Sequence, residues 1–282
     1  MLELESVQKS YKGFSLNCSL TVQEGCITGL IGANGAGKST TFKSILGLVH
    51  MEGGSIRIFG KDLKEIGANA RKEIGVVLSE STLPDCLTVK QMAGIMAREY
   101  QGFQMEYFVE QCRRFSVPLD KKLKEFSTGM KAKAKILFAI SHQARLLILD
   151  EPTAGLDVVA RDSILEILRE YMETEGRAIL ISSHISADLE GFCDDLYMID
   201  AGRVVLHEET DNLLDHYAIL KVEEKDYQTF DRSYVLRKKK EPFGYSCLTN
   251  QKNYYAENYP SLVIEKGSID EVILMMTKGE EA

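Results

Sequence analysis

The chain has 282 residues, 44% of them hydrophobic and 27% charged, so it has room for one large globular domain plus an appendage, or two modest domains. Its 34 Lys and Arg stand against 42 Asp and Glu, a formal charge of −8, which leaves no basic excess for coating nucleic acid. No window approaches about 18 uninterrupted apolar residues, and the start Met-Leu-Glu-Leu-Glu-Ser lacks the basic and apolar regions of a secretory leader, so neither a membrane span nor a signal segment is expected.

Residues 2–7 and 16–22 alternate apolar and polar side chains, the pattern of half-buried strands. Glu24-Gly25 turns the chain into an apolar run, residues 27–31, short enough to be a buried strand. That run meets Gly32, Ala33, Asn34, Gly35, Ala36, Gly37, Lys38 and Ser39, a complete match to G-x-x-x-x-G-K-[ST]. A side chain at Gly35 or Gly37 would keep the backbone amides from converging on phosphate oxygens. Lys38 supplies a mobile cation for the outer phosphates, and Ser39 a hydroxyl for Mg²⁺. Phe42, Ile45, Leu46 and Val49 then recur at helical spacing, so the loop sits between a strand and a helix N-terminus, where dipole and free N–H groups attract an anion. The expected ligand is a nucleoside triphosphate.

Further on, residues 55–59 and 74–78 are expected strands, and residues 88–100 a helix with Thr88 and Gln91 as a capping box. Weakly helical sequence continues to about Val117, where Pro118 breaks it. The stretch Phe126-Ser127-Thr128-Gly129-Met130 precedes a helix over 131–141, and a Ser and a Gly at a helix start form a second anion cradle. One set of phosphates needs one cradle, so the second is expected to serve the nucleotide of a neighbouring copy.

Residues 146–149 form a buried strand ending on Asp150-Glu151, and residues 178–181 another ending on Ser182-Ser183-His184. Residues 158–174 read as an amphipathic helix, and 196–200 with 203–207 as a hairpin around Ala201-Gly202. Strands alternating with helices imply a parallel sheet covered on both faces, with ligands at the carboxyl ends of its strands. Asp150 is therefore a candidate Mg²⁺ ligand, Glu151 a base for the attacking water, and His184 a group that holds the γ-phosphate or orients that water.

After about His216 the character changes to a small α+β appendage, with strands at 218–222 and 233–236 and a final helix capped by Ser268 and Glu271. The basic run 237–240 reads as a solvated turn. Cys18, Cys26, Cys86, Cys112, Cys193 and Cys247 lack any C-x-x-C pair and read as small core residues in a reducing compartment.

With these motifs in this order, residues 1 to about 210 resemble the ATP-binding subunit of an ABC transporter. The resemblance implies an α/β fold: a RecA-type P-loop NTPase core with an N-terminal antiparallel β-subdomain and a helical subdomain at about 80–140. The ATP-binding domain would span 1–215, and a small C-terminal α+β extension 216–282. It implies that Tyr11 stacks on adenine and that Thr40 joins the phosphate loop. Ser127, Thr128 and Gly129 would be the signature that contacts the opposite subunit's ATP, and Ala154, Gly155, Leu156 and Asp157 the D-loop. Asp150 would be the Walker B acid, Glu151 the catalytic glutamate and His184 the switch histidine.

Two departures stand out. Where the family usually has Gln at the end of the strand over 74–78, this chain has Ser79 followed by Glu80, so the metal contact passes to Glu80 or to a water. The signature is Ser-Thr-Gly-Met rather than Ser-Gly-Gly-Gln, a variant found in the exporter branch with separate membrane subunits. The C-terminal residues 264–280 resemble, more loosely, extensions in bacterial members of that branch, some of which export peptides. The resemblance implies ATP and Mg²⁺ as cofactors, with two partners: a separately encoded polytopic membrane subunit and a second ATP-binding subunit, identical or related. It places the chain peripherally on the cytoplasmic face of the cell membrane. The alternative is a soluble ABC-type ATPase acting on nucleic acid or translation; a third reading is a module that binds ATP without cleaving it.

Overall fold

The computed structural model describes residues 1–281. Two long antiparallel strands open it, β1 (Leu2–Tyr11) and β2 (Phe14–Val22), and burial alternates along β2 because successive side chains leave opposite faces of the pleat. β3 (Ile27–Ile31) is buried throughout and its loop delivers α1 (Lys38–Ile45). β4 (Gly53–Ile58) and the two-residue β5 (Lys61–Asp62) extend the antiparallel unit, and the short α2 (Ala68–Arg71) leads to β6 (Ile74–Val77).

α3 (Val89–Glu99) starts on the expected capping box: the Gln91 N–H donates to Thr88 Oγ1 at 3.2 Å and the Thr88 N–H to Gln91 Oε1 at 2.9 Å. Helix does not run on unbroken to Val117. The chain turns over residues 100–104 and restarts as α4 (Met105–Arg114). In the break the Gln104 N–H donates to the Ser141 carbonyl at 2.7 Å, so a tertiary bond replaces a helical one, which periodicity does not register. α5 (Thr128–Ile140) begins three residues earlier than expected, because Ser127 is its N-cap and accepts the Met130 N–H at 3.3 Å.

β7 (Leu146–Asp150), α6 (Val158–Met172) and β8 (Ala178–Ser183) follow, then the one-turn α7 (Ala187–Glu190) and the hairpin β9 (Asp195–Asp200) and β10 (Arg203–Glu209). These elements make a ten-stranded sheet in the order β5-β4-β1-β2-β10-β9-β3-β8-β7-β6. Its half β9-β3-β8-β7-β6 is parallel and the β1, β2 and β4 region antiparallel. The period of two sorts the core: Leu147, Leu149, Ile179 and Ile181 pack on one face, Leu146, Ile148, Ala178 and Leu180 on the other.

α8 (Thr210–His216) leads to a second, wholly antiparallel sheet built from β11 (Ala218–Glu223), β12 (Val235–Glu241) and β13 (Gly244–Thr249), then, past α9 (Lys252–Asn258), β14 (Val263–Lys266) and, past α10 (Ile269–Lys278), β15 (Glu280–Glu281). Its order is β14-β11-β13-β12-β15. Ile219, Leu248, Val272 and Met275 join the same core that lies under α5 and α6, whereas Leu220, Val222, Phe230 and Tyr255 form a separate aromatic cluster on the opposite face.

Two expectations fail here. The basic run 237–240 is no solvated turn but lies within β12, hydrogen-bonded to β13 and β15, with Lys240 on Glu224 at 3.0 Å and Lys239 on Glu241 at 2.7 Å. Of the six cysteines, Cys86 is exposed and Cys26 half-buried; the other four are core residues. Among the described residues no helix is long and apolar enough to cross a membrane.

Candidate active site

The register of the parallel strands brings the sequence motifs together. Ile31 of β3 lies beside Ser183 of β8, and Ser182 beside Asp150 of β7, so the loop after β3, the acids after β7 and His184 after β8 share one edge of the sheet. The loop, Glu151 and His184 line one cavity of about 560 Å³, and Asp150 lies behind its wall, bound to the lining residues Ser39 and Ser79. Tyr11 and Phe14 are among its lining residues, as are Ala33, Asn34, Gly35, Gly37, Lys38, Ser39 and Thr40 of the loop, Glu151, Ala154, His184 and Ser79. Aromatic rings, a loop of backbone amides and a carboxylate–imidazole pair in one cavity fit a nucleobase, a polyphosphate and a reacting water.

The loop needs its glycines for different reasons. Gly37 has φ +121°, and a Cβ there would also sit 3.1 Å from Phe14 and Ile199. A Cβ on Gly32 would come 2.3 Å from the Ile199 carbonyl oxygen. Lys38 is buried; its Nζ donates to the Gly32 carbonyl at 2.5 Å and the Ala33 carbonyl at 3.3 Å, and lies 3.2 Å from Glu151 Oε1.

Asp150 is 2% exposed and is surrounded by hydroxyls. Oδ2 accepts from Ser39 Oγ and Ser79 Oγ, both at 2.9 Å, and Oδ1 accepts from Ser182 Oγ at 2.7 Å. A buried carboxylate among hydroxyl oxygens is the kind of donor that Mg²⁺ takes when phosphates supply its other ligands. The residues therefore fit the metal.

Glu151 adopts φ +52°, a left-handed conformation that a non-glycine residue holds only when its surroundings compel it. Its N–H donates to Ser182 Oγ at 3.0 Å, and Oε2 lies 2.5 Å from His184 Nδ1. Ser182 thus clamps both acids. Sequence reading passed over it, although a hydroxyl at the end of a strand adjacent in topology to Asp150 was the available signal.

Glu80 is turned away from this cavity. Its carboxylate is 73% exposed and bound to Lys43 Nζ at 3.0 Å, outside the cavity, because the chain turns after Ser79. Ser127 and Thr128 are exposed at the start of α5 and do not line the main cavity. Thr128 instead lines an adjoining cavity of about 250 Å³ with Lys131, Lys135, Glu151 and Leu156. Lys135 donates to the Ser81 carbonyl; burial, with the neighbouring Lys131 cation, holds its ammonium below the usual lysine value. Gly155 takes φ +70°, and Asp157 caps α6 by accepting the Ala160 N–H at 2.8 Å.

A family model described as ABC transporter matches residues 16–154, and one described as AAA domain, putative AbiEii toxin, Type IV TA system, matches residues 122–187, which hold Asp150, Glu151 and His184 but not the phosphate loop. The chain is 30% identical over 219 residues to the ABC transporter ATP-binding protein YtrB of Bacillus subtilis, covering 77% of this chain and 75% of that protein. It is 32% identical over 223 residues to the Nod factor export ATP-binding protein I of Cupriavidus metallidurans, covering 76% and 73%. A solved structure described as the ATP binding subunit of an ABC transporter superposes with a TM-score of 0.67 at 31% identity, over 76% of this chain and 91% of that one.

Proposed function

The chain belongs to the ABC transporter family as an ATP-binding ATPase protein, and on that premise we propose that it drives export through a separately encoded membrane subunit by cleaving ATP between two closing copies. The observation that carries this reading is the convergence of the phosphate loop, Glu151 and His184 on one cavity at the carboxyl ends of β3, β7 and β8, with Asp150 bound to its lining residues Ser39 and Ser79.

In this reading Tyr11 stacks on the base, residues 32–40 wrap the phosphates and Lys38 leaves Glu151 for the outer phosphates. Ser39 and Asp150 would hold Mg²⁺, with Ser79 beside them; the ion, when bound, neutralises charge on the phosphates. Glu151 takes the proton of the attacking water, and His184 fixes the Glu151 carboxylate through Nδ1. The exposed Ser127 and Thr128, with the half-buried Gly129, reach the nucleotide of a second copy, with residues 154–157 alongside, so triphosphate favours the closed pair and cleavage releases it. A second ATP-binding subunit is thus required, identical or related. The work passes to a polytopic membrane partner through the exposed loop after Ser79, which puts this chain on the cytoplasmic face of the membrane.

Export as the direction is supported by likeness to a protein named for Nod factor export. Peptides as cargo rest on the looser resemblance of residues 264–280 to extensions in the exporter branch. Glu151→Gln tests the core of the proposal. ATP binding is expected to persist, turnover to fall by about 10²–10⁴-fold, the range for a lost general base, and dimers to accumulate with ATP on size-exclusion chromatography. Turnover within a few-fold of the parent removes Glu151 from its role, and with it the mechanism.

A further inference from the structure

Asp188 is 2% exposed, four residues past His184 on α7, and lies outside the nucleotide cavity. Its carboxylate binds two other segments. Thr153 Oγ1, two residues past Glu151 and 1% exposed, donates to Oδ2 at 2.6 Å. Arg161 Nη1, one helical turn past Asp157, approaches Oδ1 at 3.0 Å. One side chain therefore ties together the segment bearing His184, the loop bearing Glu151 and the helix that follows residues 154–157.

Stability does not explain the arrangement well. Burying an ion pair costs desolvation that the attraction barely repays, and here the pairing is incomplete: neither Asp188 Oδ1 nor Arg161 Nε has a hydrogen-bond partner. What the contact does supply is direction. His184 directly follows β8 and its N–H donates to Glu151 Oε2 at 3.3 Å, but the segment after it runs into α7, a single turn with no side-chain cap, so that side of the ring's backbone needs an anchor from elsewhere. His184 must nevertheless keep Nδ1 2.5 Å from Glu151 Oε2.

We propose that Asp188 is a positioning residue for ATP cleavage, holding His184 against Glu151 through Thr153 and Arg161; this rests on the roles given above to Glu151 and His184. The Asp188 carboxylate touches neither nucleotide nor water. It sets the angle at which the imidazole meets the base, and a misplacement of about 1 Å at a reacting group is enough to cost about 10²-fold.

The test measures kcat and KM for ATP on the full chain. Thr153→Val, nearly isosteric, and Asp188→Asn, which keeps an acceptor for Thr153 but not the charge facing Arg161, are each expected to lower kcat about tenfold or more with KM within about threefold. Thr153→Ser restores the hydroxyl and returns kcat to within about twofold. In a His184→Ala background, Asp188→Asn costs less than about twofold, because its effect passes through the missing ring. Additive losses in that cycle, or parental kcat in Thr153→Val, overturn the proposal. Should Asp188→Asn fail to fold, the Thr153 pair alone decides. Glu151→Gln run alongside separates the levels: full turnover there sinks the proposed function, whereas loss there with parental Thr153→Val and Asp188→Asn sinks only the role of Asp188.

Discussion

Ser182→Ala tests whether one hydroxyl holds the acidic strand end. Ser182 has no exposed surface, and its Oγ serves two partners, donating to Asp150 Oδ1 at 2.7 Å and accepting the Glu151 N–H at 3.0 Å. Losing the bond to a charged group costs about 1.5–3 kcal/mol, and stranding the amide costs about 1–3 kcal/mol more. The total is about 3 kcal/mol or more, which at about 2–4 °C per kcal/mol lowers the melting temperature by about 6–12 °C. A second effect is chemical. Glu151 sits at φ +52°, a conformation costing about 1–3 kcal/mol that its anchors must sustain, so the variant lets the carboxylate drift. Turnover is then expected to fall about tenfold or more at saturating ATP. Thermal melts and urea midpoints give the first number, steady-state hydrolysis the second. A melting temperature within about 2 °C of the parent, together with kcat within about twofold, would refute the clamp.

Gly37→Ala puts a Cβ on a residue with φ +121°, 3.1 Å from Phe14, and is expected to weaken ATP binding about tenfold or more, measured by titration calorimetry; an unchanged affinity contradicts the loop geometry. Ser79→Ala removes a hydroxyl 2.9 Å from Asp150 Oδ2, so the gain in ATP affinity on adding Mg²⁺ should shrink about tenfold, and an unaltered gain dismisses Ser79 from the metal site. His142 is 6% exposed, stacked on Tyr100 at 4.4 Å, and burial holds its pKa below the usual 6.5. Below about pH 6.5 the unfolded chain takes up a proton that the folded chain refuses, so stability is complete above that pH and lost as pH falls, by at most about 1.4 kcal/mol per unit. His142→Phe should flatten the slope of urea midpoints between about pH 7.5 and 5.5, and identical slopes would discount the burial argument.

The phosphate loop, the capping boxes of α3 and α10 and the strand ends at Asp150 and His184 were legible in the sequence because each is a local device. A backbone that must wrap phosphate needs Gly37; a helix start needs Thr88 or Ser268; a strand buried on both faces needs an unbroken apolar run. Order along the chain was enough to identify the family and to predict a parallel sheet with its ligand at one edge. Tertiary structure alone decided what happens between segments. It turned Glu80 out toward Lys43, gave Ser79 to Asp150, broke the helix at residues 100–104 and paired the basic run of β12 with two neighbouring strands. Ser182 and Asp188 escaped notice for the same reason: each acts on partners about 30 residues or more away in sequence, and a hydroxyl or a carboxylate declares its partner only once the sheet register has set the distance.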